Sequence, residues 1–524
     1  MLRRLAHVAI ALLLTGCQAV QFLTGGRPTA PATIALPTAF PTATASSTPL
    51  PFRPTLTAEP DVQDTQRQGL LPEFAADTAR NVTWTRYTLA AEVEFDPRVA
   101  QATIDGSARI QFTNPLGTPL RDLELMLWPN DPQYLAEMTA GPALVDGQFV
   151  EPVPLLGDLA LSLPLETPLA PGATVDVSLP FHIDARGPIG GFEPKRFGIT
   201  EGVLIAPTFY PLVPRLIDGA WQVEPAPPGG DTTNSDTAFY DVTIRAPQNL
   251  GLAVSGADIE RIKNADGTQT VHTVTGPMRD VAFALGPLQS ETAMVDGVEL
   301  RTWFLRTHAD SAAEMLDAAK VQMQTLTDLI GPYPYPQLDL VDAPGAFGGI
   351  EYPGLVFIGT LGGSNVIEPT VHEVAHQWFY GLIGDDQLHE PWLDESAATY
   401  AEVLYYQAAG RAGRATGLLS DFRSWLREYH DPTLPIGRGV GEYASEDEYA
   451  LIVYVKGALF FDALRRQLGD SEFAGFLRLY FQTYRYGFAD GAGFQDLAQD
   501  VCGCDLSSLF DLWVWKGGPV PGLP

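Results

Sequence analysis

The stretch TVHEVAHQWF, residues 370–379, places two of the chain's eight histidines four positions apart, with an acid directly after the first. Pro369 suits the first turn of a helix, so this spacing puts His372 and His376 on one helical face. Two imidazoles in that arrangement can bind one metal ion, and Glu373 beside them can act as a general base. For this motif alone, a chance match on an ordinary amphipathic helix is the alternative.

A third ligand candidate follows downstream. A catalytic zinc site uses three protein ligands and leaves one position for water. Glu395 lies within the segment PWLDESAATYAEV, with eighteen residues between it and His376. It begins the next predicted helix, which can pack across the first and direct a carboxylate at the same point. A first-turn acid favoured by the helix dipole is the other interpretation of Glu395.

The pattern of apolar residues changes once along the chain. Residues 82–95 and 101–114 alternate apolar and polar side chains, as the two strands of a hairpin do. Strand-like segments continue to about residue 290, and helical periodicity follows. We therefore predict a multidomain fold, with an all-β, sandwich-like domain at 81–290 and a mainly α catalytic domain with a small β-sheet at 291–524.

The N-terminus has the features of a targeting segment. A basic start and a short apolar stretch end in Leu14-Thr15-Gly16-Cys17, which resembles the bacterial lipobox. We predict a signal peptide at 1–17 with Cys17 as the lipidated residue, and a disordered tether rich in Pro, Thr and Ala at 18–80. The folded part would then stand outside a cell membrane, or on the outer membrane of a cell that has two. An ordinary secretory signal is the alternative.

Charge and cysteine content narrow the partners and the chemistry. The net charge of −31 argues against nucleic acid and anionic membrane surfaces as partners. Cys502 and Cys504 are one residue apart, a spacing that suits neither a relaxed disulfide nor a four-ligand zinc site, so we expect no disulfide staples. The acids and the histidine of the loop 385–390 are expected to be solvated.

The signature His372-Glu373-x-x-His376, followed by Glu395, resembles that of the gluzincin aminopeptidases, the M1-type family of aminopeptidase N and leukotriene hydrolase. Two further elements agree with this resemblance. FGGIEYPGLVF, residues 347–357, is similar to the family's Gly-x-Met-Glu-Asn strand, and VYVKGALFF, residues 453–461, is similar to its Tyr-x-Lys-Gly-Ala segment.

The resemblance implies a thermolysin-like catalytic domain that holds one Zn²⁺ per chain on the two histidines and Glu395. It implies that Glu373 is the general base and that the hydroxyl of Tyr454 stabilises the oxyanion. The family's peptide-binding strand corresponds here to Gly348, Gly349 and Glu351, with Glu351 bound to the substrate's ammonium group. The predicted function is a membrane-anchored, extracytoplasmic zinc aminopeptidase that acts on peptides.

The chain departs from the family pattern in several places. Ile350 stands where the family has Met, and Tyr352 stands where it has Asn. In the family's WLNEG segment, Asp394 replaces the Asn and Ser396 replaces the Gly. No equivalent of the glutamine that helps to hold the substrate amine is found in the β region. The chain ends about seventy residues after Tyr454, so a member without the C-terminal helical domain is expected. A non-catalytic scaffold lipoprotein on a peptidase fold, a zinc endopeptidase and an epoxide hydrolase are the alternative functions.

Overall fold

The structure, a computed structural model, describes residues 62–188, 196–230, 235–345, 348–360, 365–429 and 431–520. The signal peptide, Cys17 and the first part of the tether lie outside these residues. Within the described ranges, no helix combines the length and the apolar character needed to cross a membrane.

The first part of the chain is a β domain built around a nine-stranded sheet. The hairpin predicted from residues 82–114 is confirmed as β1 (Thr85–Asp96) and β2 (Gln101–Thr113), which pair antiparallel. Along both strands, buried residues alternate with more exposed ones, so one face of the sheet forms the core.

Smaller sheets of four, three and two strands complete this domain. Its remaining described strands are β3 (Leu120–Met126), β4 (Ala136–Ala140), β5 (Ala143–Val145), β6 (Gln148–Val150), β7 (Val153–Leu155), β8 (Ala160–Leu169), β9 (Thr174–Arg186), β10 (Gly198–Thr200), β11 (Val203–Pro207), β12 (Leu216–Ile217), β13 (Ala220–Trp221), β14 (Ala238–Pro247), β15 (Gly251–Val254), β16 (Ala257–Lys263), β17 (Thr268–Val274) and β18 (Ala282–Gly286). The nine-stranded sheet has the order β16-β17-β14-β1-β2-β9-β5-β6, with β4 also paired to β9.

The second part is mainly helical around a five-stranded mixed sheet. Its strands are β19 (Leu288–Val295), β20 (Val298–Leu305), β21 (Gln337–Asp342), β22 (Gly349–Ile350) and β23 (Leu355–Ile358), in the order β19-β20-β21-β23-β22. The α-helices of the described residues are α1 (Val62–Gln66), α2 (Ala309–Leu329), α3 (Ile367–Ala375), α4 (Glu395–Ala408), α5 (Ala412–Glu428), α6 (Glu446–Tyr449), α7 (Gly457–Leu468), α8 (Asp470–Tyr484), α9 (Gly491–Cys502) and α10 (Ser507–Phe510). The predicted fold class, a β domain followed by a mainly α domain with a small sheet, is confirmed.

A buried amide joins the three helices that carry or support the site. The Gln322 side chain on α2 donates hydrogen bonds to the carbonyl of Val371 on α3, at 3.1 Å, and to that of Ala401 on α4, at 3.4 Å. Its side chain is fully buried among them. Because these bonds join all three helices, they help to fix α3 relative to α4.

The tether prediction is wrong for residues 62–80, which fold. This segment forms α1 and two short 3₁₀ turns, Arg67–Gly69 and Pro72–Ala79. Leu70 and Leu71 are buried, so the segment supplies enough apolar surface to pack on the body of the protein. The proline-rich composition that predicted disorder ends before it.

The expectation of no disulfide is also wrong. Cys502 and Cys504 are bonded to each other, with their Cα atoms 5.2 Å apart. Gly503 between them caps the end of α9 in the left-handed conformation, which reverses the chain. The reversal brings the two cysteine side chains together despite the short spacing.

Candidate metal centre

Helix α3 carries the two histidines, although it ends earlier than the sequence predicted. It stops at Ala375, and His376 is its C-terminal capping residue. The backbone amide of His376 still bonds to the carbonyl of His372 at 3.2 Å, so the two side chains keep helical spacing. The early end turns the carbonyl of Phe379 back toward His376 Nδ1, 3.1 Å away.

Three atoms from His372, His376 and Glu395 form a small triangle. The two Nε2 atoms are 3.1 Å apart, and Glu395 Oε2 lies 3.1 Å from His372 Nε2 and 3.2 Å from His376 Nε2. Bonds of about 2.0–2.2 Å in a tetrahedral zinc site place neighbouring ligand atoms at least about 3.3 Å apart. The triangle is therefore within a few tenths of an ångström of a three-ligand metal site, and the residues fit such an ion.

Helix α4 presents Glu395 at its first position. Asp394 precedes it, and one carboxylate oxygen of Asp394 accepts a hydrogen bond of 2.8 Å from the backbone amide of Glu395. Glu395 is buried, so its carboxylate needs compensating charge. The imidazoles provide it on one oxygen, and the hydroxyl of Tyr454 donates to the other.

The second nitrogen of each imidazole is also occupied. His372 Nδ1 lies 3.3 Å from Glu402 Oε1, and His376 Nδ1 lies 3.1 Å from the Phe379 carbonyl. A hydrogen on each Nδ1 would donate to these acceptors and leave both Nε2 lone pairs free to bind a metal. Glu402 was missed from the sequence. Its signal is the seven-residue step from Glu395, which places both acids on one face of α4.

The ionisable side chains of the centre shift one another's pKa values. Burial lowers the pKa of His372, but its hydrogen bonds to the Glu395 and Glu402 carboxylates raise that pKa to about 10 overall. Burial also lowers the pKa of His376, but the Glu395 charge outweighs burial and raises that pKa to about 10 overall. Burial raises the pKa of Glu395, but the imidazoles outweigh it and hold that pKa well below its usual range. The carboxylates thus stabilise positive charge at the triangle.

Glu373 follows His372 on α3 and packs against strand β22. Its side chain is buried, and a Cβ atom added to Gly349 would clash with its carboxylate. Glycine at position 349 therefore lets β22 approach α3 closely. Gly348 is next along the strand, and its carbonyl accepts a hydrogen bond of 2.8 Å from the Gly359 amide. The sequence-predicted residues Gly348, Gly349 and Glu373 are brought together here.

Tyr454 lies on a π-helical segment, Ala450–Lys456, that leads into α7. Its ring stacks on the His372 ring, with centroids 5.8 Å apart and an interplanar angle of 14°. Such π segments are rare in proteins, and those that occur often lie at functional sites. Ser396, a departure from the family pattern, is accommodated here because its hydroxyl donates to the Val453 carbonyl at 2.7 Å.

Glu351 follows β22 and reaches the same centre. One of its carboxylate oxygens lies within 4.8 Å of a ring nitrogen of His376 and of a carboxylate oxygen of Asp394. The side chain of Gln387 donates to it at 2.9 Å. Tyr352, which stands where the family has Asn, packs its ring against Phe357. Gln387 was missed from the sequence, where nothing marks it.

The loop between the ligands is only partly solvated. His389 is exposed and its Nδ1 lies 3.0 Å from Asp386 Oδ1, as expected for the surface. Asp385 is buried instead, which corrects the prediction. Burial and the neighbouring Asp394 charge raise the pKa of Asp385 well above its usual value. Burial likewise raises the pKa of Asp394 to about 7, together with the charges of Glu395 and Glu351.

Comparison with known proteins agrees with this centre. Residues 314–513 match the peptidase family M1 domain. The chain is 26% identical over 303 residues to aminopeptidase N of Lactococcus lactis, a match that covers 54% of this chain and 36% of the relative. It is 28% identical over 270 residues to human aminopeptidase B, covering 47% of this chain and 40% of the relative. The chain thus spans well under half the length of these relatives.

Solved structures show the same fold. An M1 zinc metallopeptidase from Deinococcus radiodurans superposes with a TM-score of 0.63 at 22% identity, covering 84% of this chain and 96% of that chain. A mutant of that protein bound to a Tyr-Ser-Ala substrate gives the same TM-score and identity, with 85% and 96% coverage.

Removing the acceptor behind His372 should weaken metal binding without removing a ligand. We expect Glu402→Met to lower the affinity for Zn²⁺ by about 10- to 100-fold, because His372 loses the partner that orients its ring. The measurement is competition with a chromophoric chelator. Glu368→Met is the matched control, since Glu368 is a buried acid on α3 that bonds to Tyr406 and Arg414 instead. An equal loss in both variants would contradict the prediction.

Proposed function

We propose that the chain is a zinc aminopeptidase of peptidase family M1, the family of aminopeptidase N, and that it removes N-terminal residues from peptides. The observation that carries the proposal is the triangle of His372 Nε2, His376 Nε2 and Glu395 Oε2, with sides of 3.1–3.2 Å. One zinc ion per chain would be held by these three side chains. A bound zinc ion supplies Lewis acidity, which lowers the pKa of water and polarises a carbonyl group.

The chain's own residues supply the proton transfers. Glu373, buried beside the triangle, accepts a proton from the attacking water and delivers it to the leaving amine. The Tyr454 hydroxyl donates its one hydrogen to the Glu395 carboxylate in this structure, and it would redirect that hydrogen to the oxyanion that forms from the scissile carbonyl. Such a donor contributes roughly 3–4 kcal/mol to transition-state stabilisation in comparable sites.

Strand β22 and Glu351 supply the contacts to the substrate backbone and amine. Among the described strands, β22 ends the order of its sheet, and an extended peptide would pair with its outer edge. Glu351 is the residue that follows β22, and its side chain is buried next to the metal position. A buried carboxylate at this point binds a free α-ammonium group and limits how much chain can extend past the scissile bond.

The presence of both the base and the tyrosine favours an enzyme over a non-catalytic scaffold. Neither Glu373 nor Tyr454 is needed to hold a metal, since the three ligands suffice. An endopeptidase would use the same base and ligands but would have no need for an amine anchor. The two enzyme classes are therefore separated by substrates with blocked and free N-termini.

Two variants test the catalytic assignment. Glu373→Gln should retain about one zinc per chain and lower kcat by about 10²- to 10⁴-fold, because it removes the base and leaves the ligands in place. His376→Ala should lose both zinc and activity. His389→Ala is the control for an exposed histidine and should change neither. Full zinc occupancy in His376→Ala would show that the ligand set is wrong. Metal content and turnover of a fluorogenic aminoacyl substrate are the measurements.

A third variant tests the amine anchor. A charge-assisted hydrogen bond contributes about 1.5–3 kcal/mol, so Glu351→Ala should lower kcat/KM for free-N-terminus peptides by roughly 10- to 200-fold while zinc stays bound. N-acetylated peptides should be poor substrates of the wild type and lose little more in the variant. Equal cleavage of free and acetylated peptides by the wild type would instead support the endopeptidase.

We also propose that the protein is anchored outside a membrane through lipidated Cys17. The support is the sequence Leu14-Thr15-Gly16-Cys17 after a short apolar stretch, followed by a proline-rich segment up to the first described residue. Peptides outside the cytoplasm would then be the substrates.

The anchor has a direct test in cells of the source organism. Cys17→Ser should move the protein from the membrane fraction to the soluble or secreted fraction, or block removal of the signal peptide, because the thiol that receives the lipid is lost. Immunoblots of fractionated cells give the result. A variant that remains anchored and normally processed would refute the lipid attachment.

A further inference from the structure

A neutral amide lies between two buried acids at the edge of the metal centre. Gln387 Nε2 is 2.9 Å from Glu351 Oε1 and 2.9 Å from Asp394 Oδ2. All three side chains are buried, with at most 4% of each residue exposed. The amide nitrogen has two hydrogens, so it can donate one to each carboxylate.

The amide offsets repulsion between these acids. Carboxylate oxygens of Glu351 and Asp394 lie within 4.8 Å of one another, and Glu395 follows Asp394 directly. Like charges this close in a buried site repel each other, and the side chain with the greater freedom turns away. Asp394 is held by its bond to the Glu395 amide, at 2.8 Å. Among the described hydrogen bonds, the one from Gln387 is the bond that the Glu351 carboxylate accepts at the metal centre.

The neutrality of glutamine matters for a ligand. An arginine or lysine at position 387 would orient Glu351 equally well, but it would cancel the charge that Glu351 offers to a cation. An amide donates hydrogen bonds and carries no net charge. It can fix one oxygen of Glu351 and leave the negative charge of the group available.

We infer that Gln387 is a positioning residue for N-terminal recognition: it holds Glu351 in place to receive the substrate's α-ammonium group. This inference rests on the proposed aminopeptidase function and names a residue through which the selectivity for a free N-terminus is set. The described hydrogen bonds of the Gln387 side chain go to Glu351 and Asp394, so Gln387 would act on the substrate through Glu351.

The test compares two peptides of one sequence, one with a free N-terminus and one N-acetylated. In full-length Gln387→Met, kcat/KM for the free peptide should fall by roughly 10- to 100-fold, mainly through KM, because the anchor is misplaced. The acetylated peptide should change little, and the zinc content should stay at that of the wild type. Gln387→Glu, close in shape but with at most one hydrogen to donate, should also lower the discrimination between the peptides.

Gln337→Met is the matched control. Gln337 is also buried and also donates from its amide to an acid, Asp339, at 2.7 Å, but it lies on β21 and contacts none of the ligands. This variant should lower the unfolding temperature and keep the discrimination between the two peptides. If the Gln387 variants likewise keep it, or lose activity on both peptides equally, Gln387 is only structural and the inference fails.

The outcomes separate the inference from the proposal beneath it. A wild type that does not prefer the free peptide would overturn the aminopeptidase assignment, and the inference with it. A wild type that prefers the free peptide, with Gln387 variants that prefer it equally, overturns the inference alone. If Gln387→Met does not fold, the discrimination ratio of Gln387→Glu decides.

Discussion

The two Nε2 atoms of His372 and His376 face each other at 3.1 Å in a buried site, and the rest of the centre depends on how that contact is resolved. Two nitrogen lone pairs at this distance repel unless a proton or a metal ion lies between them. Glu395 contributes the negative charge that makes a cation favourable there. Glu402 and the Phe379 carbonyl lie at the outer nitrogens, and a hydrogen on each of these nitrogens would leave the lone pairs facing inward.

Close packing between segments far apart in sequence makes this arrangement possible. Gly349 lets strand β22 lie against the Glu373 carboxylate, and Gly457 lets α7 approach Ser396 at the start of α4. A side chain at position 349 would push β22 away from Glu373 on α3. A side chain at position 457 would push α7, which follows Tyr454, away from the start of α4. Glycine is required at these two positions by space, since neither has the left-handed backbone that also favours it.

Local patterns predicted much of this, and contacts between distant segments explain what they missed. Alternating apolar and polar residues within a short stretch predicted the hairpin β1–β2. The four-residue spacing of a helix predicted that His372 and His376 share one face. Gln387 could not be found this way, because its proposed role depends on the hydrogen bond to Glu351, and the two residues meet only in the folded chain. The Cys502–Cys504 bond depends on the left-handed turn at Gly503, and the spacing alone argued against it. The burial of Asp385 likewise depends on how its loop packs.

The folded segment 62–80 determines where a pull on the N-terminus enters the protein. Leu71 bonds through its amide to the Pro334 carbonyl of the catalytic domain, and Gly69 accepts from Gly276 of the β domain. Asp77 then pairs with Arg485, 2.9 Å away. Tension applied upstream would be shared between the two domains at their junction, and the first strand of the large sheet would be shielded from it. A chain held at a surface and exposed to flow would thus resist mechanical peeling where both domains can share the force.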